Sequence, residues 1–100
     1  MEDVEGGLKS VTAAIQLLNV FAEDERLGVS QVAKRLGVAK STAHRLLTTL
    51  VAGGLVEQTH EFGDYRLGVR LIELGQLASA RQDLRRVAAP AMEEIGRAHV

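Results

Sequence analysis

The chain has no cysteine and no tryptophan, a single proline, and only three aromatic residues, Phe21, Phe62 and Tyr65. Without cysteine there is neither a disulfide framework nor a thiolate metal site. So few aromatics leave the core to Leu, Val, Ile and Ala, which suits helix packing better than a sandwich of sheets. No apolar run approaches the roughly 18 residues of a membrane-spanning helix. The acidic opening MEDVEGGLKS lacks the apolar segment of a secretory signal. These absences describe a single small domain expected to be soluble and cytoplasmic, with no membrane partner. The chemistry of an enzyme is missing as well. His44, His60 and His99 stand at no metal-ligand spacing, so no metal residues are assigned. There is no glycine-rich phosphate loop and no nucleophile elbow. Glu93-Glu94 and Glu23-Asp24-Glu25 read as solvated helix surface and not as paired catalytic carboxylates. No catalytic residue and no cofactor is expected.

Charge is abundant but segregated. The formal net charge is −1, yet residues 1–25 carry six carboxylates against Lys9 alone. Residues 26–56 then carry Arg26, Lys34, Arg35, Lys40 and Arg45 with no carboxylate at all. A solvated basic face would account for such a block; so would a polyanionic partner.

The apolar spacing reads as helices around that block. Ser10 is a candidate N-cap for a helix from about Val11 to Ala22, with Val11, Ala14, Ile15, Leu18, Phe21 and Ala22 on one stripe. Leu17 and Val20 widen the stripe. Leu27 to Val29 is long enough only for an edge strand. Ser30 is a candidate cap for a helix from Gln31 to Leu36, with Val32, Ala33 and Leu36 inward and Gly37 as its left-handed stop. A tight turn leads to a third helix from about Lys40 to Ala52, whose core face is Ala43, Leu46, Leu47 and Leu50. At 100° per residue, Ser41, His44, Arg45 and Thr48 fall within about 70° of the opposite direction. This is the pattern of a helix packed on one side and entering a DNA major groove on the other. Gly53-Gly54 ends it. Two short strands, around Leu55–Gln58 and Tyr65–Leu67, flank a polar loop and form a hairpin. Two helices joined by a tight turn and followed at once by a hairpin give the layout of a winged helix: mainly α, a three-helix core with a small β wing.

After Gly68 the spacing is again helical, with Leu71, Leu74 and Leu77 or Ala78 on one side. Asp83 is a candidate cap for a last helix striped by Leu84, Val87, Ala88, Ala91, Met92 and Ile95. Pro90 either kinks that helix or starts a shorter one.

The opening SVTAAIQLLNVF, the segment GVAKSTAHRLLTTL, the strand GLVEQ and the stretch YRLGVRLIELG stand in an order that resembles the N-terminal part of the IclR family of bacterial transcriptional regulators. The tail DLRRVAAPAMEEI is similar to the helix that opens that family's effector domain. The likeness covers roughly residues 8–98, and the KSTAHRLL and YRLGVRL pieces are its most specific parts. Ala39 departs from it, standing where the family usually has proline. The resemblance implies a tail over residues 1–9, a winged helix over 10–68, a linker helix over 69–82, and from 83 to 100 the first helix of an effector domain otherwise outside this sequence. It implies Lys40, Ser41, Thr42 and Arg45 at the start of the recognition helix, and Tyr65 and Arg66 on the wing strand.

Gln31, Lys40, Ser41, Thr42, His44, Arg45, Thr48, Tyr65 and Arg66 are therefore the candidate DNA-binding residues. Arg45 can fork onto guanine or hold a phosphate. His44 either touches DNA or packs at the edge of the face, and the wing with His60, Phe62 and Arg66 either reaches DNA or is simply solvated. Leu71, Leu74 and Leu77 are candidate dimer-interface residues, because nothing following in the sequence covers them. The expected partners are a double-stranded operator and a second copy of the chain, with a small-molecule effector only in a full-length form. The alternative is a winged helix that assembles with protein and binds no specific DNA. A protein-binding face more often shows exposed aromatics or methionine, and the recognition helix has neither.

Overall fold

Seven apolar residues spread around the first helix decide its packing only once the other helices are in place. A computed structural model of the chain describes residues 7–60 and 63–88. Helix α1 spans Lys9–Val20. It starts earlier than expected: Ser10 lies inside the helix, and Leu8 holds the N-cap position without a side-chain hydrogen bond. Leu17 and Phe21 are buried, with Ala14, Leu18 and Val20 packed beside them. Val11 and Ile15, expected inward, are 51 % and 43 % exposed. With apolar residues on every side but that of Lys9, Thr12, Gln16 and Asn19, periodicity alone leaves the buried arc open, and the observed arc is rotated from the expected one.

Helix α2 spans Val29–Leu36, and Gly28, two residues before the expected cap at Ser30, is its N-cap. The Gly28 N–H donates to Gln31 Oε1 at 2.8 Å. A side chain three residues on thus accepts from the cap's own N–H, the half of a capping box that the N3 residue supplies. Gly37 closes the helix with φ 72°, and its N–H donates to the Ala33 carbonyl at 2.9 Å. That left-handed conformation is open to glycine at little cost. Helix α3 spans Lys40–Ala52, with Ala43, Leu47 and Leu50 buried and Leu46 packed against them as the spacing predicts.

Strand β1, Val56–Gln58, pairs antiparallel with strand β2, Tyr65–Leu67, in the register Val56 with Leu67, Glu57 with Arg66 and Gln58 with Tyr65. Leu27 adds a single bridge on the other edge of β2: its N–H donates to the Tyr65 carbonyl at 3.0 Å, and the Tyr65 N–H donates back at 2.8 Å. Leu17, Leu27, Val32, Leu47 and Val56 are the fully buried centre. The hairpin is thereby tied to all three helices by one apolar cluster. This is a winged helix, mainly α as expected.

Helix α4 spans Val69–Ala88 and packs its start against β1. Gly68, at the junction, is forced. A Cβ there would lie 2.3 Å from the Gly54 carbonyl oxygen and 3.0 Å from two further backbone atoms. The Val69 N–H donates to Glu57 Oε2 at 3.0 Å, so a carboxylate of the wing satisfies one donor of the first turn of α4. The expected boundary at Asp83 is not there: α4 runs through it without a break. No glycine or proline lies between Gln76 and Ala88, and one residue of capping type does not stop a run of strong helix formers. Residues 89–100, with Pro90 and His99, lie outside the described residues, as does Phe62 of the wing. Among the described residues, no helix is long and apolar enough to cross a membrane.

Candidate nucleic-acid interface

Burying Ala43, Leu47 and Leu50 leaves the opposite side of α3 to solvent. Lys40, Ser41, His44, Arg45 and Thr48 are all exposed, and Thr42 is half-buried. Four of these recur at intervals of three or four and so form one surface row. The hydroxyl of Thr49, next in the row, is committed to its own helix, donating to the Arg45 carbonyl at 2.9 Å. The row offers donors and cations and no carboxylate.

The neighbouring cations divide into two sets. Arg35 is paired with Asp24, Arg66 Nε with Glu57 Oε1 at 3.3 Å, and Arg70 with Glu73 at 3.2 Å. Arg26, Lys34, Lys40 and Arg45 form no ion pair among the described residues. Two of these four stand on α3 and one on α2. Part of the acid-free block, Lys34, Lys40 and Arg45, thus stands on α2 and α3 with no ion pair among the described residues.

The other candidates fall in different places. Gln31 is exposed at the first turn of α2, but its side-chain oxygen is already engaged by Gly28. Arg66 sits on the outer face of β2, held by Glu57. Tyr65 does not belong with it. At 5 % exposure Tyr65 is part of the core, because successive residues of a strand point to opposite faces and the bridge to Leu27 draws this one inward. Its assignment to the DNA surface is corrected. His60 is exposed at the wing. Among the described residues no group of His, Asp and Glu is arranged to hold a metal ion.

On α4, Leu74 and Leu77 are exposed and Leu71 is half-buried. Leu84 extends the same stripe at 68 % exposure. On α1, Leu8, Val11 and Ile15 form a second apolar surface.

The structure adds a feature that spacing along one helix does not report. A groove of about 430 Å³ separates the start of α1 from α3, with Lys9, Ser10 and Ala13 on one wall and Thr42, Arg45 and Leu46 on the other. Lys9 is the lone cation of an acidic N-terminal stretch, and nothing in the sequence signals that it folds beside Arg45.

Comparison with known proteins places this geometry. A family model described as the IclR helix-turn-helix domain matches residues 10–60. The transcriptional regulator XynR of Escherichia coli is 37 % identical over 91 residues, which are 90 % of this chain and 36 % of that protein. The glycerol operon regulatory protein of Streptomyces coelicolor is 38 % identical with the same coverage. Among solved structures, an IclR family regulator from Brucella abortus superposes with a TM-score of 0.72 at 27 % identity, covering 90 % of this chain and 35 % of that one. The chain spans about a third of the length of the relatives it matches.

Proposed function

The chain belongs to the IclR family of helix-turn-helix transcriptional regulators, and on that premise we propose that it recognises a pseudo-palindromic DNA operator as a homodimer. The exposed row Ser41, His44, Arg45 and Thr48 on α3, flanked by exposed Lys40, carries the reading. A helix about 10–12 Å across fits the B-DNA major groove. Hydroxyls, imidazole and guanidinium can read base edges there, while Lys40 and Thr42 at the helix start hold phosphate. Arg66 supports this from the wing once it exchanges Glu57 for a phosphate. One such helix reads too few base pairs for an operator, so two copies should bind half-sites about one helical turn apart. The stripe Leu71, Leu74 and Leu77 is the surface assigned to that pairing. A small-molecule effector acting on a full-length form, in the cytoplasm, is part of the same proposal. One relative, from Microbacterium hydrocarbonoxydans, is described as complexed with 4-hydroxybenzoate, and an organic acid is the class of effector this suggests.

Binding to a random-sequence duplex over a series of salt concentrations tests the reading. The expected result is a logarithmic fall in affinity with salt, of slope about −0.9 for each phosphate neutralised. A flat salt response together with capture of a protein partner would favour the assembly module instead.

A further inference from the structure

We propose that Lys9 is a DNA-phosphate contact, which extends the interface from α3 across the groove to the start of α1. The inference rests on the DNA reading above and goes beyond its residues. Arg45 belongs to two surfaces at once: the outward row with Ser41 and Thr48, and the groove wall with Thr42 and Leu46. Lys9 and Ser10 are the polar groups of the facing wall, and both are exposed. Among the described residues no carboxylate lines the groove and Lys9 forms no ion pair. A recognition helix that fills the major groove leaves the two phosphate strands along its flanks. The flank of α3 turned toward α1 is the groove rim, so the strand passing there meets Arg45 from one side and Lys9 from the other.

The residue type fits that task. Lysine carries a compact point charge on a flexible four-carbon stem, which suits a phosphate diester better than a base edge. Lys9 should therefore strengthen binding to every sequence and select among none.

The test compares wild type, Lys9→Ala, Lys9→Arg and Arg81→Ala on a random duplex and on a duplex selected for tight binding. Arg81 lies on α4, away from the groove, and controls for loss of one positive charge anywhere. Lys9→Ala should flatten the salt slope by about 0.9 per protomer bound, equally on both duplexes. Lys9→Arg should restore the slope, and Arg81→Ala should leave it at the wild-type value. Equal slopes for Lys9→Ala and wild type would overturn the proposal, as would a loss confined to the selected duplex. A wild-type chain that bound neither duplex would overturn the DNA reading itself, and this proposal with it. Far-ultraviolet circular dichroism of each variant reports whether α1 is intact, and rescue by arginine separates charge from folding.

Discussion

Adding one methyl group at Gly68 should destabilise the fold by about 2–4 kcal/mol, while the same methyl at Gly75 should stabilise it. At Gly68 the new Cβ would meet the Gly54 oxygen at 2.3 Å, with Leu55 C and Val56 N at 3.0 Å. Carbon and oxygen ordinarily approach to roughly 3.3 Å, so about 1 Å of separation must be found. All three obstacles are backbone, and none can rotate away. Moving the strand from the helix stretches two hydrogen bonds, Gly68 N–H to the Leu55 carbonyl at 2.8 Å and Arg70 N–H to the Gly54 carbonyl at 3.2 Å. Overpacking of this kind costs about 1–3 kcal/mol, and the two weakened hydrogen bonds together add about 1. At Gly75, in the middle of α4, nothing lies within 4 Å of the added carbon. There alanine gains about 0.5–1 kcal/mol of helix propensity. Urea unfolding followed by circular dichroism measures both. The expected outcome is a lower midpoint for Gly68→Ala at an unchanged slope, and a thermal midpoint lower by roughly 4–8 °C for each kcal/mol lost. A Gly68→Ala protein within about 0.5 kcal/mol of wild type would refute the close approach of wing and linker helix. It would also remove the reason for α4 leaving the wing in one fixed direction.

Three further outcomes follow from the same geometry. Arg45→Ala should cost about 1–3 kcal/mol on a preferred site if the guanidinium forks onto a base, measured by competition between selected and random duplex; unchanged selectivity would reassign Arg45 to phosphate. Leu74→Glu should release monomers in sedimentation, since a carboxylate would be buried in the paired stripe, and a wild type that is monomeric at high micromolar concentration, on and off DNA, would sink the pairing. Glu57→Gln should loosen Arg66 and the first turn of α4 together, at a cost of about 1 kcal/mol, and an unaltered helix signal and unfolding midpoint would deny Glu57 that double role.

Most of the architecture was legible because the helices of the core declare themselves. In α3 the four core-facing residues, Ala43, Leu46, Leu47 and Leu50, share a narrow stripe, so its buried face follows from spacing. The stop at Gly37 is equally local, since only the backbone conformation at that residue is needed. The expectations that missed depend on tertiary context. For α1, a broad apolar face allows several buried arcs, and α2 and α3 choose the one through Leu17 and Phe21. Ser10 and Ser30 have the right chemistry for caps, but Leu8 and Gly28 hold those positions. A glycine that borrows the side chain of Gln31 leaves no simple signature. Asp83 misled for the converse reason, a capping residue in the middle of an unbroken helix. In the candidate site, the α3 face came directly from periodicity. Tyr65 was misplaced because naming a strand does not say which of its faces is covered. The approach of Lys9 to Arg45 joins residues 36 positions apart, and no pattern within either helix encodes it.

The central claim is sequence-specific recognition by paired α3 helices, and selection of bound duplexes from a random pool tests it most directly. The account predicts enrichment of two related half-sites in inverted orientation, their centres about one helical turn apart, with the enrichment relaxed in Arg45→Ala. Recovery of an unenriched pool at a salt concentration where the chain still binds duplex would contradict it.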